Sequence, residues 1–215
     1  MSVSLSTMLR EGTMDVHQTP EKTPFMQAFF AGQIDSCSYR EHLLRLYQVY
    51  GSLERIHASF QEHPLLSWFY DDRLLRAPRL VSDLEYYYGP QWRRNGARLS
   101  TAARAYIERL IVLARGWPEG LIAHHYVRYL GDLSGGQILK CLIQKAFILL
   151  PGEGVSFYEF PDIPDLHAFK AEYRRKLDAL PIDQATARRI VDEANAAFWL
   201  NMHLMSDLSR QIEAN

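Results

Sequence analysis

A segment near the middle of the chain, residues 128–140 (RYLGDLSGGQILK), places three glycines inside an otherwise apolar, helix-like pattern. Each glycine in a helix interior costs about 1 kcal/mol relative to alanine, so the segment needs a local reason for them. At about 100° per residue, Gly131, Ser134 and Gly135 fall on one face and leave a strip of nearly bare backbone. A flat ligand can lie directly on such a strip. Asp132 lies at its edge, where a carboxylate can hold ordered water beside the ligand.

Two other interpretations of this segment conflict with the rest of the sequence. Its central letters, LSGGQ, match the signature of ABC-type ATPases, but that signature acts opposite a phosphate-binding loop containing Gly-Lys, a pair that the sequence lacks. The spacing of Gly131 and Gly135 also occurs in paired membrane helices, but the charged side chains within and beside it would be costly in a bilayer. Close helix packing, or a break between two shorter helices, remains an alternative to a ligand strip.

The elements that must position this segment are helices. Period-3.6 patterns dominate the chain and convincing alternating strand patterns are absent, so we predict an all-α fold. We expect one domain over residues 1–215, because this length suits a single hydrophobic core. Three of the helices are predicted to be capped, one by Ser100 or Thr101 and the other two by Asp165 and Asp183. The predicted helices run from Ser4 or Ser6 to His17 (ended by Pro20 and Pro24), from Ser38 to Glu62, through 79–89, through 100–116, from Glu119 to Leu149, from Asp165 to Leu180 and from Asp183 to Ile212.

Composition and charge restrict the class of protein. The 215 residues carry 24 Lys and Arg against 25 Asp and Glu, which argues against nucleic-acid binding driven by bulk charge. Cys37 and Cys141 provide no disulfide framework, as is usual in a reducing cytoplasm, and Cys141 is expected to be a small core residue. The N-terminus lacks an apolar signal region and no window reaches the ~20 apolar residues of a membrane span. We therefore expect a cytoplasmic protein without a membrane anchor.

Motifs along nearly the whole chain resemble those of the heme oxygenases. YLGDLSGGQILK is similar to the signature of the distal helix in that family, and LREGTMDVHQTPEKTPFMQAFFAGQI is similar to its proximal helix. The family order continues with LYQVYGSLE, DLEYYYGPQW, FYEFPDI, FKAEYRRKL and PIDQATARRIVDEANAAFWLNM. The cyanobacterial and algal branch is resembled most closely, in MSVSLSTMLREGT and GEGVSFYEF. The resemblance implies one heme oxygenase domain, with heme between a proximal and a kinked distal helix.

The resemblance also implies roles for individual residues. His17 matches the axial ligand of the heme iron, and Glu21 is placed to accept a hydrogen bond from its free ring nitrogen. Gly131 and Gly135 leave the distal side of the iron open, and Asp132 is assigned to proton delivery through ordered water. Tyr126 can face the same heme only if the helix bends, because an ideal helix turns it about 140° from the glycine strip. Asn201 matches a pocket position on the last helix. A solvated basic face is the alternative for Lys170 and Arg174, and core packing is the alternative for Phe198. The residues expected to contact the heme or its propionates are Arg10, Tyr126, Ser134, Lys170, Arg174 and Phe198.

The implied reaction is oxidation of heme b, which is both cofactor and substrate. Oxygen activated at the reduced iron attacks a meso carbon, expected to be the α carbon, and the ring opens to biliverdin, carbon monoxide and ferrous iron. A charged or large residue at the distal position is expected to divert the reaction towards peroxidase-like behaviour. A biliverdin-using enzyme is the expected downstream partner, and ferredoxin, an acidic protein attracted to basic residues, is the expected electron donor. The candidate basic residues are Arg73, Arg76, Arg79, Arg93 and Arg94.

Three other functions are weighed against this one. A heme carrier or sensor with the same fold would keep His17 without degrading its ligand, but the intact glycine and aspartate set favours the oxygenase. A di-iron carboxylate site would use two Glu-x-x-His elements, whereas the sequence has one, Glu54 to His57. Thiamine-degrading proteins of this architecture need a catalytic cysteine, a role that does not suit Cys141 if it lies in the core.

Overall fold

The computed structural model describes residues 3–17, 20–95 and 99–213, and the regular structure in these ranges is helical, which confirms the all-α prediction. Short 3-10 turns connect several helices, and one π-helical turn, Tyr126–Leu130, directly follows the seventh helix. The α-helices are α1 (Leu5–Gly12), α2 (Met14–His17), α3 (Pro24–Phe30), α4 (Ser36–Ala58), α5 (Ala77–Tyr88), α6 (Thr101–Gly116), α7 (Leu121–His125), α8 (Gly135–Ala146), α9 (Leu166–Asp178) and α10 (Gln184–Glu213).

Side-chain caps fix where several helices begin. Ser100 accepts a hydrogen bond from the backbone N–H three residues on at 3.1 Å, and Asp183 accepts one at 2.8 Å. Asp165 accepts two such bonds at 2.9 Å each. These oxygens satisfy N–H groups that have no partner inside the helix, and they confirm the predicted caps. The end of α5 at Gly89, whose φ is +79°, is also as predicted.

The N-terminal region differs from the prediction of one helix followed by a proline-rich stop. The helix is interrupted at Thr13, whose hydroxyl donates to the Leu9 carbonyl at 2.7 Å, and a separate short helix carries His17. Pro24 was predicted to end a helix but begins α3 instead, because Thr23 caps that helix and a proline is tolerated in the first turn. The second predicted helix also ends earlier than expected, at Ala58.

α4 runs through the core and buries one continuous face. Tyr39, Leu43, Leu46, Tyr50 and Leu53 recur every three or four residues, and each is at most 4% exposed. α5 and α6 pack against α4, while α10 packs across α1, α2, α3, α6, α7 and the π-helical turn. α10 therefore connects the helix that carries the predicted iron ligand to the segment that carries the glycines.

Within the described ranges, no helix is both long and apolar enough to cross a lipid bilayer.

Candidate functional site

The glycine segment lies at a break in what the sequence suggested was one helix from Glu119 to Leu149. α7 passes into the π-helical turn Tyr126–Leu130, and α8 starts only at Gly135. Between them the backbone leaves helical geometry at Ser134 (φ −118°, ψ −85°). The kinked distal helix that the resemblance implied is therefore confirmed, and the kink coincides with the glycine and serine residues.

Gly131 and Gly135 face open space, whereas Gly136 is packed. A Cβ atom added at Gly131 or Gly135 would have no neighbour within 4 Å, but one at Gly136 would lie 3.3 Å from Tyr158 Cδ1. Close packing therefore explains Gly136 and does not explain the other two. Gly131 and Gly135 line a cavity instead.

Replacing Gly131 with alanine is expected to stabilise the ligand-free fold. Gly131 has ordinary right-handed helical dihedral angles (φ −60°, ψ −50°), and an added methyl group meets no neighbour. Alanine should raise the free energy of unfolding by about 0.5–1 kcal/mol, measured by urea denaturation. Gly136→Ala is the matched control, with a smaller gain or a loss because of Tyr158. A destabilised Gly131→Ala chain would show that the fold itself requires the glycine.

The cavity consists of two adjoining compartments. The first, of about 450 Å³, is called the basic compartment because Arg10 and Arg174 line it. The second, of about 240 Å³, contains Asp132 and is called the Asp132 compartment. Shared wall residues make the two continuous with each other. The residues that line both are His17, Val127, Gly131, Gly135 and Phe198.

The predicted iron ligand, His17, lies at the end of α2 and faces both compartments. Its exposed ring meets the ring of Phe198 edge-on, with 5.4 Å between the centroids. Phe198 is 8% exposed, so it serves both as a core residue and as a wall of the cavity. Glu21 also lines the Asp132 compartment. No hydrogen bond joins Glu21 to His17 in the described part of the chain, and their contact stays a prediction.

The expected propionate-binding residues gather around the basic compartment. Arg10, Tyr126 and Arg174 line it, and Lys170 reaches its wall by donating a hydrogen bond to Ser134 Oγ at 3.2 Å.

Tyr126 could face the glycine strip only if the helix departed from ideal α-helical geometry. The π-helical turn resolves this, because its i to i+5 bonding brings residues five apart onto nearly the same face.

A network of buried polar groups surrounds Asp132. The Tyr50 hydroxyl donates a hydrogen bond to Asp132 Oδ2, and the Arg128 guanidinium lies 4.7 Å from the centre of the Tyr50 ring. Arg128 Nη1 donates to Asn201 Oδ1, a pocket position that the sequence predicted. Arg128 is 5% exposed, and its Nε and Nη2 atoms are buried without a hydrogen-bond partner among the residues that the structure describes. Buried guanidinium groups need acceptors, so these two atoms indicate a place for ordered water or a ligand group.

Burial raises the pKa of Asp132 to about 6, while the charge of Arg128 and the hydrogen bond from Tyr50 act in the opposite direction. Burial also raises the pKa of Tyr50 well above its usual value. Asp132 is thus the group of this pair that can gain or lose a proton near neutral pH. A carboxyl group with such a pKa, next to a cavity, is suited to proton transfer.

Comparison with known proteins assigns the chain to a family. A family model described as heme oxygenase matches residues 3–207. The chain belongs to the heme oxygenase family. It is 49% identical over 208 residues to heme oxygenase 1 of Synechocystis sp. PCC 6803, covering 97% of this chain and 86% of that protein. It is 46% identical to heme oxygenase 1 of Nostoc sp. PCC 7120, covering 97% and 87%.

A similar fold is found in solved structures of heme oxygenases. A crystal structure of heme oxygenase-1 from Synechocystis sp. PCC 6803 in complex with heme superposes with a TM-score of 0.93 at 47% identity, covering 99% of this chain and 96% of that one. Heme oxygenase-2 from the same organism, in complex with heme and NO, gives 0.95 at 42% identity, covering 99% and 88%. The resemblance seen in the sequence is therefore confirmed.

The cavity of this heme oxygenase fits a heme on its own features. Gly131 and Gly135 carry no side chain, so their backbone is open to the cavity at the place that a Cβ atom would otherwise occupy. One imidazole, that of His17, lines the same cavity, and Arg10 and Arg174 place positive charge at one of its compartments. These three features match the three parts of a heme: the open backbone suits the flat ring, the imidazole suits the iron, and the positive charge suits the two carboxylates.

Two residues of the Asp132 network, Arg128 and Tyr50, were not among the predicted site residues. Arg128 lies four residues before Asp132, a spacing that places both on one helix face and could have indicated their association. Tyr50 lies on the apolar face of α4, where its spacing indicates core packing. Its hydroxyl meets Asp132, 82 residues further along the chain. No local sequence signal marks such a contact.

The proposed basic patch for an electron donor needs correction at Arg76. Its side chain is 1% exposed, donates to the carbonyl of Phe157 at 3.0 Å and lies 3.8 Å from the ring centre of Phe160. Arg76 is therefore a structural residue that no partner protein can touch.

The other four arginines of the proposed patch differ in their surroundings. Arg73 pairs with Asp71, and Arg79 pairs with Asp162. Arg93 is exposed, and the side chain of Arg94 lies outside the described residues.

The structure argues against a di-iron site at Glu54 and His57 and against Cys141 as a catalytic residue of this cavity. Glu54 caps α5 by accepting a backbone hydrogen bond from Ala77 at 3.2 Å, and His57 Nε2 donates to the Leu66 carbonyl at 2.9 Å. Among the residues that the structure describes, no three His, Cys, Asp or Glu side chains are grouped to hold a metal ion. Cys141 is exposed, so its prediction as a core residue is wrong, and it does not line either compartment of the cavity.

Proposed function

We propose that this heme oxygenase oxidises heme b with O₂ to biliverdin, carbon monoxide and ferrous iron, with the α meso carbon as the point of cleavage. One observation carries the proposal: His17, the open backbone of Gly131 and Gly135, and the titratable carboxyl group of Asp132 line a single cavity. The family membership and the heme complexes of its relatives support the same conclusion.

The chain holds its substrate through complementary groups on two sides. Bound heme supplies the iron at which O₂ is activated and the ring carbon that is oxidised. His17 is assigned as the axial ligand, since a neutral imidazole leaves the opposite face of the iron free. Gly131 and Gly135 allow the helix backbone to approach that face. The groups assigned to the propionates and the ring edge are Arg10, Tyr126, Ser134, Lys170, Arg174 and Phe198, and Glu21 is assigned to orient His17.

Asp132 is assigned to delivering protons on the open side. Its pKa of about 6 lets it exchange a proton near neutral pH, and the hydrogen bond from Tyr50 fixes its orientation. The unpaired donors of Arg128 can hold water next to the carboxylate. Proton delivery at this place would decide whether oxygen is transferred to the ring or the reaction turns peroxidase-like.

The electrons are proposed to come from reduced ferredoxin or a similar acidic donor. The exposed side chains of Arg73 and Arg93, together with the half-buried Arg79, would attract such a protein. The two free cysteines, Cys37 and Cys141, are both exposed, which suits a reducing compartment such as the cytoplasm. The whole chain, residues 1–215, is proposed to act as one catalytic domain that passes biliverdin to a downstream enzyme.

A single-turnover assay separates the oxygenase from a heme carrier of the same fold. Protein loaded with hemin is mixed with a reductant and air, and its absorption spectrum is followed. We expect the Soret band to disappear, biliverdin to appear as its α isomer on chromatography, and carbon monoxide to be released. An anaerobic sample with the same reductant should keep its Soret band. If the band persists in air while the reductant is consumed, the chain is a carrier.

A further inference from the structure

A buried histidine, His42, belongs to the Asp132 compartment and has no role so far. It lies on α4, is 5% exposed and packs against the ring of Phe25, with 5.1 Å between ring centroids. Its ring lines the same compartment as Arg128 and Asp132. No hydrogen bond joins the ring to another side chain or backbone group in the described ranges. An apolar residue would fill this position at lower cost, so the polar ring needs an explanation.

The charges around His42 keep its ring neutral. Burial, then the guanidinium of Arg128, and then that of Arg45 on the next turn of α4 lower the pKa of His42 to about 3. The carboxylates nearby are engaged elsewhere: Asp207 pairs with Arg45 at 3.3 Å, and Asp132 accepts from Tyr50. A neutral imidazole offers one N–H donor and one nitrogen acceptor.

His42 and Arg128 have complementary hydrogen-bonding needs. Arg128 Nε and Nη2 are buried donors for which the described ranges supply no acceptor, and His42 offers an acceptor in the same compartment. A water molecule can accept from a guanidinium and donate to an imidazole nitrogen at once. The compartment measures about 240 Å³. This volume admits several waters at roughly 30 Å³ each. The polar side chains in its largely apolar lining, among them His42, Arg128 and Asp132, supply the two to four partners that a buried water requires.

We propose that His42 is a positioning residue of the proton-delivery network: its ring nitrogen and the guanidinium of Arg128 together hold an ordered water beside Asp132. The inference rests on the proposed function, because it concerns the route by which protons reach the open side of the bound heme. His42 acts through this water and does not touch the reacting atoms. An apolar side chain at this position would leave the water bound to Arg128 alone and free to move away from Asp132.

The water itself is tested without heme. Crystal structures of the heme-free protein at a resolution that shows waters are compared for wild type, His42→Leu and His42→Gln. We expect a water within hydrogen-bond distance of both His42 and Arg128 in the wild type, its loss with leucine, and its retention with glutamine, whose amide keeps a donor and an acceptor. A wild-type structure in which no water joins the two side chains would overturn the proposal.

The effect of His42 on the reaction is tested by measuring coupling, which is the amount of biliverdin formed for each equivalent of reductant consumed. His42→Leu should lower this ratio about five- to tenfold, the effect of one lost hydrogen bond. His42→Gln should restore it to near the wild-type value. His203→Leu, which removes an exposed histidine of α10, is the matched control and should change nothing. Unchanged coupling in His42→Leu, or equal losses in the leucine and glutamine variants, would refute the role of the water.

Failure of this inference is distinguishable from failure of the proposed function. Each variant is first titrated with hemin, and its Soret band reports heme binding independently of turnover. If wild-type protein binds heme and degrades it while His42→Leu does so with equal coupling, only the role of His42 is lost. If wild-type protein binds heme without degrading it, the proposed function itself fails.

Discussion

Replacement of His17 by alanine is expected to lower the rate of biliverdin formation by more than about a hundredfold, since even groups that only orient a metal ligand contribute 10- to 100-fold. The ring of His17 lines both compartments of the cavity and is exposed towards them. The Soret band of the hemin-loaded variant should therefore shift. Added imidazole should enter the space left by the ring and restore both the spectrum and part of the activity.

The control for this experiment is His203→Ala, which removes an exposed histidine outside the cavity. It should bind hemin with the wild-type spectrum and degrade it at the wild-type rate. A His17→Ala protein with an unchanged spectrum and unchanged turnover would show that another residue binds the iron, and the assignment of the proximal helix would be lost.

Replacement of Asp132 by asparagine is expected to reduce biliverdin formation by about a hundredfold or more, the usual contribution of a positioned acid or base. Asparagine has nearly the same shape and can still accept from Tyr50, but it cannot donate or accept the transferred proton. Reductant and oxygen should still be consumed as the reaction turns peroxidase-like. The rates of biliverdin formation and of reductant oxidation are measured together. Asp192→Asn, an exposed change on α10, is the control.

The Asp132→Asn variant also allows the pH dependence of the free energy of unfolding to be predicted. The folded-state pKa of Asp132 is raised by burial to about 6, above its usual 3.8. A raised carboxyl pKa means that the folded protein binds this proton more tightly than the unfolded chain. Its stabilising contribution is therefore complete below about pH 4 and is lost as the pH rises through 6.

Measured by urea denaturation, the free energy of unfolding of wild type relative to Asp132→Asn should thus fall by about 1–3 kcal/mol between pH 4 and pH 7. The comparison between the two proteins cancels the titration of the other carboxyl groups that they share. A difference that is constant across this range would show that Asp132 titrates normally, and its role in proton delivery would lose its electrostatic basis.

Features that depend on neighbouring residues could be predicted from the sequence. The helices beginning at Ser100, Asp165 and Asp183 follow from capping side chains, which act within three residues. The open backbone at Gly131 and Gly135 follows from the cost of glycine in a helix, which demands a compensating reason. These signals are local, and the structure places each where the sequence indicated.

Features that depend on distant contacts could not be predicted. Tyr50 and Asp132 meet across 82 residues, and the buried contacts of Arg76 involve the backbone near Phe157, 81 residues away. A tyrosine on an apolar face and an arginine in a loop carry no local sign of such partners. The π-helical turn that directs Tyr126 into the cavity is equally invisible, because its sequence fits an ordinary α-helix.

The most direct test of the central claim is a crystal structure of the protein with bound hemin. The claim is that the heme lies between the imidazole of His17 and the bare backbone of the distal helix. The predicted result is an iron bonded to a ring nitrogen of His17, with the opposite heme face against the main chain of Gly131 and Gly135. An iron bound instead by His42, the other histidine that lines the Asp132 compartment, or a heme lying away from both glycines, would contradict it.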